Sequence, residues 1–421
     1  MPRELTIKGP ARMPRETTAA IQAAVDALGG EGGGVCRIGA GDYELDNAIY
    51  LRHRVTLRGD GERTVLRPIP AVRSPLVTYV GYGHYDVRIA QPHLFHVGMG
   101  VHIGDGHSGG FYDTTASLTW RDGDRFGLSE DLKHDYTPEH GATITAAFPV
   151  VAGLLVADAA VENLQIAGPR CDPFHLNGCR GGGVYLRRAD RVAIRGVTVR
   201  GYPGEGISFQ QCRNTLIEDC RLIENLGHGL HPGSGSVGPV MRRLECRGNR
   251  WCGVFYCLRV NYSILEDCIV EGNGQAGLSI GAHDTDNLIR RCTIANNARP
   301  GVFWRPEDRI RAGHRITLID NTIRENVRDG QAAAEIDVDA GAEDIRLCGN
   351  TICPRDGVAA LHVGDRTVSV FAAEGDALEP TSGNTATLKR LPRDDASFAP
   401  AWLEGIPPTA DRHLPPPITA D

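Results

Sequence analysis

The side chains best suited to chemistry in this chain lie between Glu205 and Asp308. His228 and His231 carry imidazoles, which titrate near neutrality, so either could act as a base. Arg259 and Arg305 could hold a carboxylate and neutralise it while the neighbouring carbon loses its proton. Together these functions suit β-elimination from a uronic-acid chain. A second chemistry uses carboxyl groups. Asp284 with Glu307 or Asp308 could flank a glycosidic bond, as hydrolysis requires, or Glu205 could supply the acid with its proton affinity tuned by His228. His283 adds a polar group, and Phe255 and Phe303 could stack on sugar faces. Plainer readings stand beside these. Asp284 and Asp286 in HDTDN could form a turn through their own backbone, and the phenylalanines could simply pack.

Residues so far apart in sequence need an element that makes them neighbours, and a repeat supplies it. Asn225, Asn249, Asn273 and Asn297 are each 24 residues apart, and Asn326 follows after a longer interval. Gly183, Gly206, Gly229, Gly253, Gly277 and Gly301 keep nearly the same period, each followed by Val, Ile or Leu. A fixed period in the low twenties is the mark of a solenoid of short strands. On that grid Val184, Ile207, Leu230, Val254, Leu278 and Val302 point inward, and Leu222, Cys246, Val270, Ile294 and Ile323 form a second inward column. Successive rungs should lie about 4.8 Å apart. Glu205 and His228 precede their glycines, whereas His231, Phe255 and Phe303 fall on the outward face. The asparagines stack as a structural ladder inside a turn, bonding rung to rung. GSGS at 233–236 is either a shallow notch in the wall or a turn.

Upstream, residues 17–28 read as an amphipathic helix with Thr17 or Thr18 as its cap and Gly29 as its end. GGEGGG then leads into VCRI, GDYEL and VTLRGDG, short strands between glycine turns. These glycines follow a helix rather than opening one, which argues against a dinucleotide fingerprint. The segment IQAAVDALGGEGGGVCRIGAGDYELDNAIYLRHRVTLRGDG resembles the opening of the pectate-lyase-like superfamily of right-handed parallel β-helices. That resemblance, with the repeats at about 155–355, implies an all-β solenoid whose open end is covered by a capping helix. It does not choose a reaction, since the superfamily holds lyases, hydrolases, epimerases and non-enzymatic adhesins. Its lyases often use Arg or Lys as base with bound calcium, but no acidic calcium cluster can be placed here, so no metal or cofactor is expected.

The expected layout is a cap helix and first rungs over 1–69, an inserted β-hairpin lobe over 70–150, repeats over 151–375 and a Pro-rich tail over 376–421. In the lobe His84, His93, His96, His102 and His107 either line a cleft or sit in surface loops. Trp402 and Leu403 could anchor the tail over the last rung.

A formal charge of −7 argues against a nucleic-acid protein. The first residues lack the apolar core of a signal peptide and no apolar run is long enough to span a membrane, so a cytoplasmic protein is expected. The 12 cysteines fit buried thiols better than disulfides, and Cys252, Cys257, His228 and His231 lack zinc-site spacing. The expected function is glycosidic-bond cleavage in a poly- or oligosaccharide, with elimination placed ahead of hydrolysis. The competing class is a non-catalytic glycan-binding or assembly module. The partner is then a saccharide, without nucleic acid or membrane, and side-by-side homo-oligomers are compatible with the fold.

Overall fold

The computed structural model describes residues 3–169 and 174–403. The chain divides into two compact units. The first comprises residues up to Leu186 with Gly196–Ser208 and Asn225–Gly227; the second comprises Arg187–Arg195, Phe209–Glu224 and the chain from His228 onward.

In the first unit the helix runs Pro14–Gly30 and buries Thr17, Thr18, Ile21, Val25 and Leu28. It starts earlier than residues 17–28 because Pro14 occupies the first helical position, where its fixed φ is favourable and its missing N–H costs nothing. Met13 is therefore the N-cap residue, not Thr17 or Thr18. Those hydroxyls instead donate back to the carbonyls of Met13 (3.2 Å) and Pro14 (3.0 Å). Glu4–Ile7, Gly34–Ile38, Val55–Arg58 and Ala160–Glu162 pair in parallel, as do Gly41–Leu45, Thr64–Pro68, Gln165–Ala167 and Thr198–Arg200. Between these parallel strands, residues 73–145 build a separate six-stranded antiparallel sheet. Two of its neighbours, Thr114–Asp122 and Arg125–Leu128, are joined through Gly123 at φ 60°. Val87, Ile89, Val101, Ile103, Phe126 and Ile144 form its core, all fully buried.

In the second unit three parallel sheets share the work of each period. One runs from Ala193–Arg195 through Leu216–Glu218, Val240–Arg242 and Ile264–Glu266 onward, and a second from Arg221–Ile223 through Glu245–Arg247 and Ile269–Glu271. The third contains Leu230–Gly233, Val254–Phe255, Leu278–Ile280, Val302–Trp304, Ala334–Val338 and Ala359–Val363. Both inward columns are as the period requires. Leu222, Cys246, Val270, Ile294 and Ile323 are in register and fully buried, and so are Leu230, Val254, Leu278 and Val302. The corners between the first two sheets turn through left-handed residues such as Arg243, Asp267 and Arg291. Their side chains pair outside the coil, Arg243 with Asp219 (2.7 Å) and Arg291 with Asp267 (2.8 Å).

The asparagine and glycine periods turn out to be mechanically linked. Asn249 donates its Nδ2 to Oδ1 of Asn273, Asn273 to Asn297 and Asn297 to Asn326, at 2.9, 2.9 and 2.8 Å. A Cβ at Gly229, Gly253, Gly277 or Gly301 would come within 2.8–2.9 Å of the Nδ2 of Asn249, Asn273, Asn297 or Asn326. The glycine leaves room for the ladder. The carboxylate of Glu335 ends it, accepting from both N–H and Nδ2 of Asn326. A second ladder, absent from the sequence reading, joins Asn321 to Asn350 at 2.9 Å, and the amide of Cys292 on the rung before donates to Oδ1 of Asn321 at 2.9 Å.

Among the described residues, nine of the eleven free cysteines are buried. Residues 376–403, expected as a tail, also contribute strands Thr381–Gly383 and Leu388–Leu391 in parallel pairing. Phe398 closes on Cys348 and Ala373, and Trp402 meets Tyr262 edge-on at 5.7 Å. The Pro-rich stretch 404–421 lies outside the described residues.

Candidate functional site

Strand alternation decides which side chains the third sheet of the second unit presents outward. With Leu230, Val254, Leu278, Val302, Ile336 and Leu361 inside, the neighbouring column reads His231, Phe255, Ser279, Phe303, Asp337 and His362. A row of aromatic, imidazole and carboxyl groups thus runs across six successive strands of one face.

At one end of the row the rings interlock. His228 stacks on Phe255 with centroids 4.1 Å apart and planes 10° from parallel. His231 stands edge-on to His228 (5.7 Å) and to Phe255 (5.2 Å), and Trp251 meets His228 at 5.1 Å. The backbone N–H of Cys252 donates to Nδ1 of His228 at 3.0 Å. That bond fixes the tautomer: Nδ1 holds the lone pair, so the neutral ring carries its proton on Nε2. His228 is therefore a hydrogen-bond donor at its other nitrogen rather than a base. Both imidazoles are buried.

Arg305 covers the other face of this cluster, its guanidinium 4.3 Å from the Phe255 centroid. Nη1 donates to Ser279 Oγ (2.9 Å), and Nη2 donates to the carbonyls of Tyr256 (2.8 Å) and Cys257 (2.6 Å). Gly281 makes this possible, because a Cβ there would fall on the guanidinium. Three of the five N–H donors of Arg305 are so engaged, leaving two.

Asp284 stands behind Arg305, with 4.0 Å between Oδ2 and Nη2. It is fully buried, and its oxygens accept from the amides of Val260 (2.9 Å) and Gly281 (2.7 Å). Burial pushes its carboxyl up to about 7, opposed by those two amides and by the charge of Arg305. Asp284 therefore holds a turn and supports Arg305. The carboxylate pair expected of Asp284 with Glu307 or Asp308 is not formed as an open site. Glu307 pairs with Arg311 (3.3 Å), and exposed Asp308 accepts from the amide of Arg311 (3.0 Å). Asp286 holds Arg315 through both oxygens at 2.7 and 2.8 Å. Arg259 and His283 occupy left-handed turn positions at φ 54° and 55°. GSGS is a turn, closed by the Ser236 amide on the Gly233 carbonyl at 3.1 Å, with Gly235 at φ 72°. Glu205 belongs to the first unit, where it is buried beside Gly227.

Three residues of the site escaped the sequence reading: Trp251, Asp337 and His362. Asp337 is pushed up to about 6 by burial, with the charge of His362 opposing and Asp339 adding to the rise. His362 Nδ1 lies 3.1 Å from Ser382 Oγ on the next strand. The alternation AEIDVD and the later ALHV carry the signal for both residues, but no glycine marks their rungs.

Residues 182–352 match a family model described as right-handed beta helix region. No curated protein sequence matches the chain. Among solved structures, the A-module of the mannuronan C-5 epimerase AlgE6 from Azotobacter vinelandii superposes with a TM-score of 0.57 at 16% identity, covering 89% of this chain and 94% of that one. The Dettilon tailspike protein superposes with a TM-score of 0.52 at 12% identity, covering 89% of this chain and 65% of that one. The fold is a right-handed parallel β-helix.

Proposed function

We propose that the protein acts on an acidic saccharide chain bound across the third sheet of the second unit, and that it cleaves the chain by β-elimination. The observation that carries this reading is the division of labour between the two imidazoles. Nδ1 of His228 is committed to the Cys252 amide, so its Nε2–H can only donate a hydrogen bond and the base falls to His231.

In this reaction His231 takes the proton from the carbon next to the sugar carboxylate. The electron pair forms a double bond as the neighbouring C–O bond breaks, the His231 imidazolium returns that proton to the departing oxygen, and Nε2–H of His228 steadies the oxygen with a hydrogen bond. Arg305 stabilises charge building on the carboxylate through its two remaining donors, while its position over Phe255 keeps it oriented. Phe303 presents a ring face to sugars, while Phe255, held between His228 and the Arg305 guanidinium, orients both. The epimerase of like fold is named for chemistry at C-5, the carbon an eliminating base deprotonates. Hydrolysis receives less support, because both oxygens of Asp284 are already held by the amides of Val260 and Gly281.

The test is a panel of acidic polysaccharides followed by ultraviolet absorbance and by reducing ends. Elimination gives both signals. Reducing ends without absorbance would replace elimination with hydrolysis, and retention on the polymer with neither signal would leave a binding module.

A further inference from the structure

The antiparallel sheet of the first unit contains a cavity of about 280 Å³ that the surface described above does not use. Its floor is set by the strand Gly100–Gly104, on which His102 and Gly104 share a face. A Cβ at Gly104 would lie 3.0 Å from Cε1 of His102, 3.0 Å from Oγ of Ser108 and 3.1 Å from Oδ1 of Asp113. The missing side chain therefore opens a space on which three functional groups converge.

Those groups are built rather than incidental. Nε2 of His102 lies 3.3 Å from Oδ2 of Asp113, and Ser108 donates to Oδ1 of Asp113 at 2.9 Å. Burial would raise the Asp113 carboxyl, but the hydrogen bonds and charge of its neighbours, His102 first, hold it below the ordinary carboxylate range. With Nε2–H directed at Asp113, the lone pair of neutral His102 is on Nδ1. His102 is 6% exposed, and among the described residues this Nδ1 has no hydrogen-bond partner. A buried acceptor without a partner costs free energy that a ligand can recover. Cε1, which borders the open space, is bonded to that nitrogen. Phe174 flanks His102 at 4.9 Å and carries the guanidinium of Arg73 over its ring at 4.8 Å.

The donor set is specific in kind: an imidazole lone pair and a carboxylate that accept O–H, a guanidinium that donates, and an aromatic face. We propose that this cavity is a second saccharide site, taking one hydroxyl-rich ring with a sugar hydroxyl donating to Nδ1 of His102. It stands independently of the eliminating site, since every residue named here lies in the first unit.

The test uses the methyl glycosides of glucose, mannose, galactose and glucuronic acid, read by saturation-transfer NMR and titration calorimetry on the whole protein. At least one should bind. His102→Phe keeps a ring but removes the acceptor, and Gly104→Ala fills the space. Each should weaken binding at least tenfold while the circular dichroism spectrum and Tm stay near those of the parent. His231→Ala should leave binding intact, so this site and the eliminating site fail separately. No binding by any of the four glycosides, undiminished binding by both His102→Phe and Gly104→Ala, or loss of binding in His231→Ala would overturn the proposal.

Discussion

Asn273 offers the sharpest test of how the coil is held together. The residue is 1% exposed, and its amide makes four hydrogen bonds. Oδ1 accepts from the backbone N–H (3.0 Å) and Nδ2 (2.9 Å) of Asn249, while Nδ2 donates to the Cys246 carbonyl (3.1 Å) and Oδ1 of Asn297 (2.9 Å). In Asn273→Ala the second Nδ2 hydrogen of Asn249 still reaches the Leu222 carbonyl, and Asn297 Oδ1 still accepts the backbone N–H of residue 273. Two donors of Asn249, the backbone N–H and one Nδ2 hydrogen, lose their acceptor in the interior. At about 1–3 kcal/mol for each unsatisfied buried group, the loss should be about 2–6 kcal/mol. Guanidinium unfolding followed by circular dichroism measures it, with Arg299→Ala as a surface control expected within about 1 kcal/mol of the parent. Hydrogen exchange adds a local readout, since the Asn249 amide should lose protection first. A loss below about 1 kcal/mol for Asn273→Ala would refute the ladder as a principal source of stability.

Other expectations follow from the same surface. Burial raises Asp284 from 3.8 to about 7, so the folded state holds a proton that the unfolded chain releases. Its contribution is present in full below pH 3.8 and is lost as pH rises through about 7. That gap corresponds to about 4 kcal/mol, and Asp284→Asn should flatten the pH dependence of the denaturation midpoint between pH 4 and pH 8. Arg305→Lys keeps a charge but cannot reproduce the planar fork, so kcat/KM on an acidic polymer should fall at least tenfold with little change in fold. Phe303→Ala removes a ring face of about 0.5–1.5 kcal/mol, which predicts a rise in KM of about twofold to tenfold.

The sequence and the structure agree where the period is constant and part where it breaks. Leu230, Val254, Leu278 and Val302 could be placed inward because each follows a glycine that the asparagine ladder requires. Once Glu335 ends the ladder, no asparagine amide needs that room, and Ile336 follows a glutamate instead. The glycine signal therefore vanishes one strand before Asp337 and His362, although both continue the same outward column. Asp284 shows a different limit. Its type suits catalysis, but only coordinates reveal that two backbone amides already occupy its oxygens. The tautomer of His228 is similar, since it depends on an amide 24 residues away in sequence. His102 lies where no period operates, and its pairing with Asp113 arises from antiparallel strands with no repeat to mark them.

The most direct measurement of the proposed reaction is ultraviolet absorbance during digestion of an acidic polysaccharide by the parent protein and by His231→Ala. The parent should generate absorbing unsaturated ends, and His231→Ala should lose at least a hundredfold in kcat with an unchanged circular dichroism spectrum, as expected for removal of a general base. Equal rates for the two proteins, or cleavage with no absorbance at all, would contradict elimination by His231.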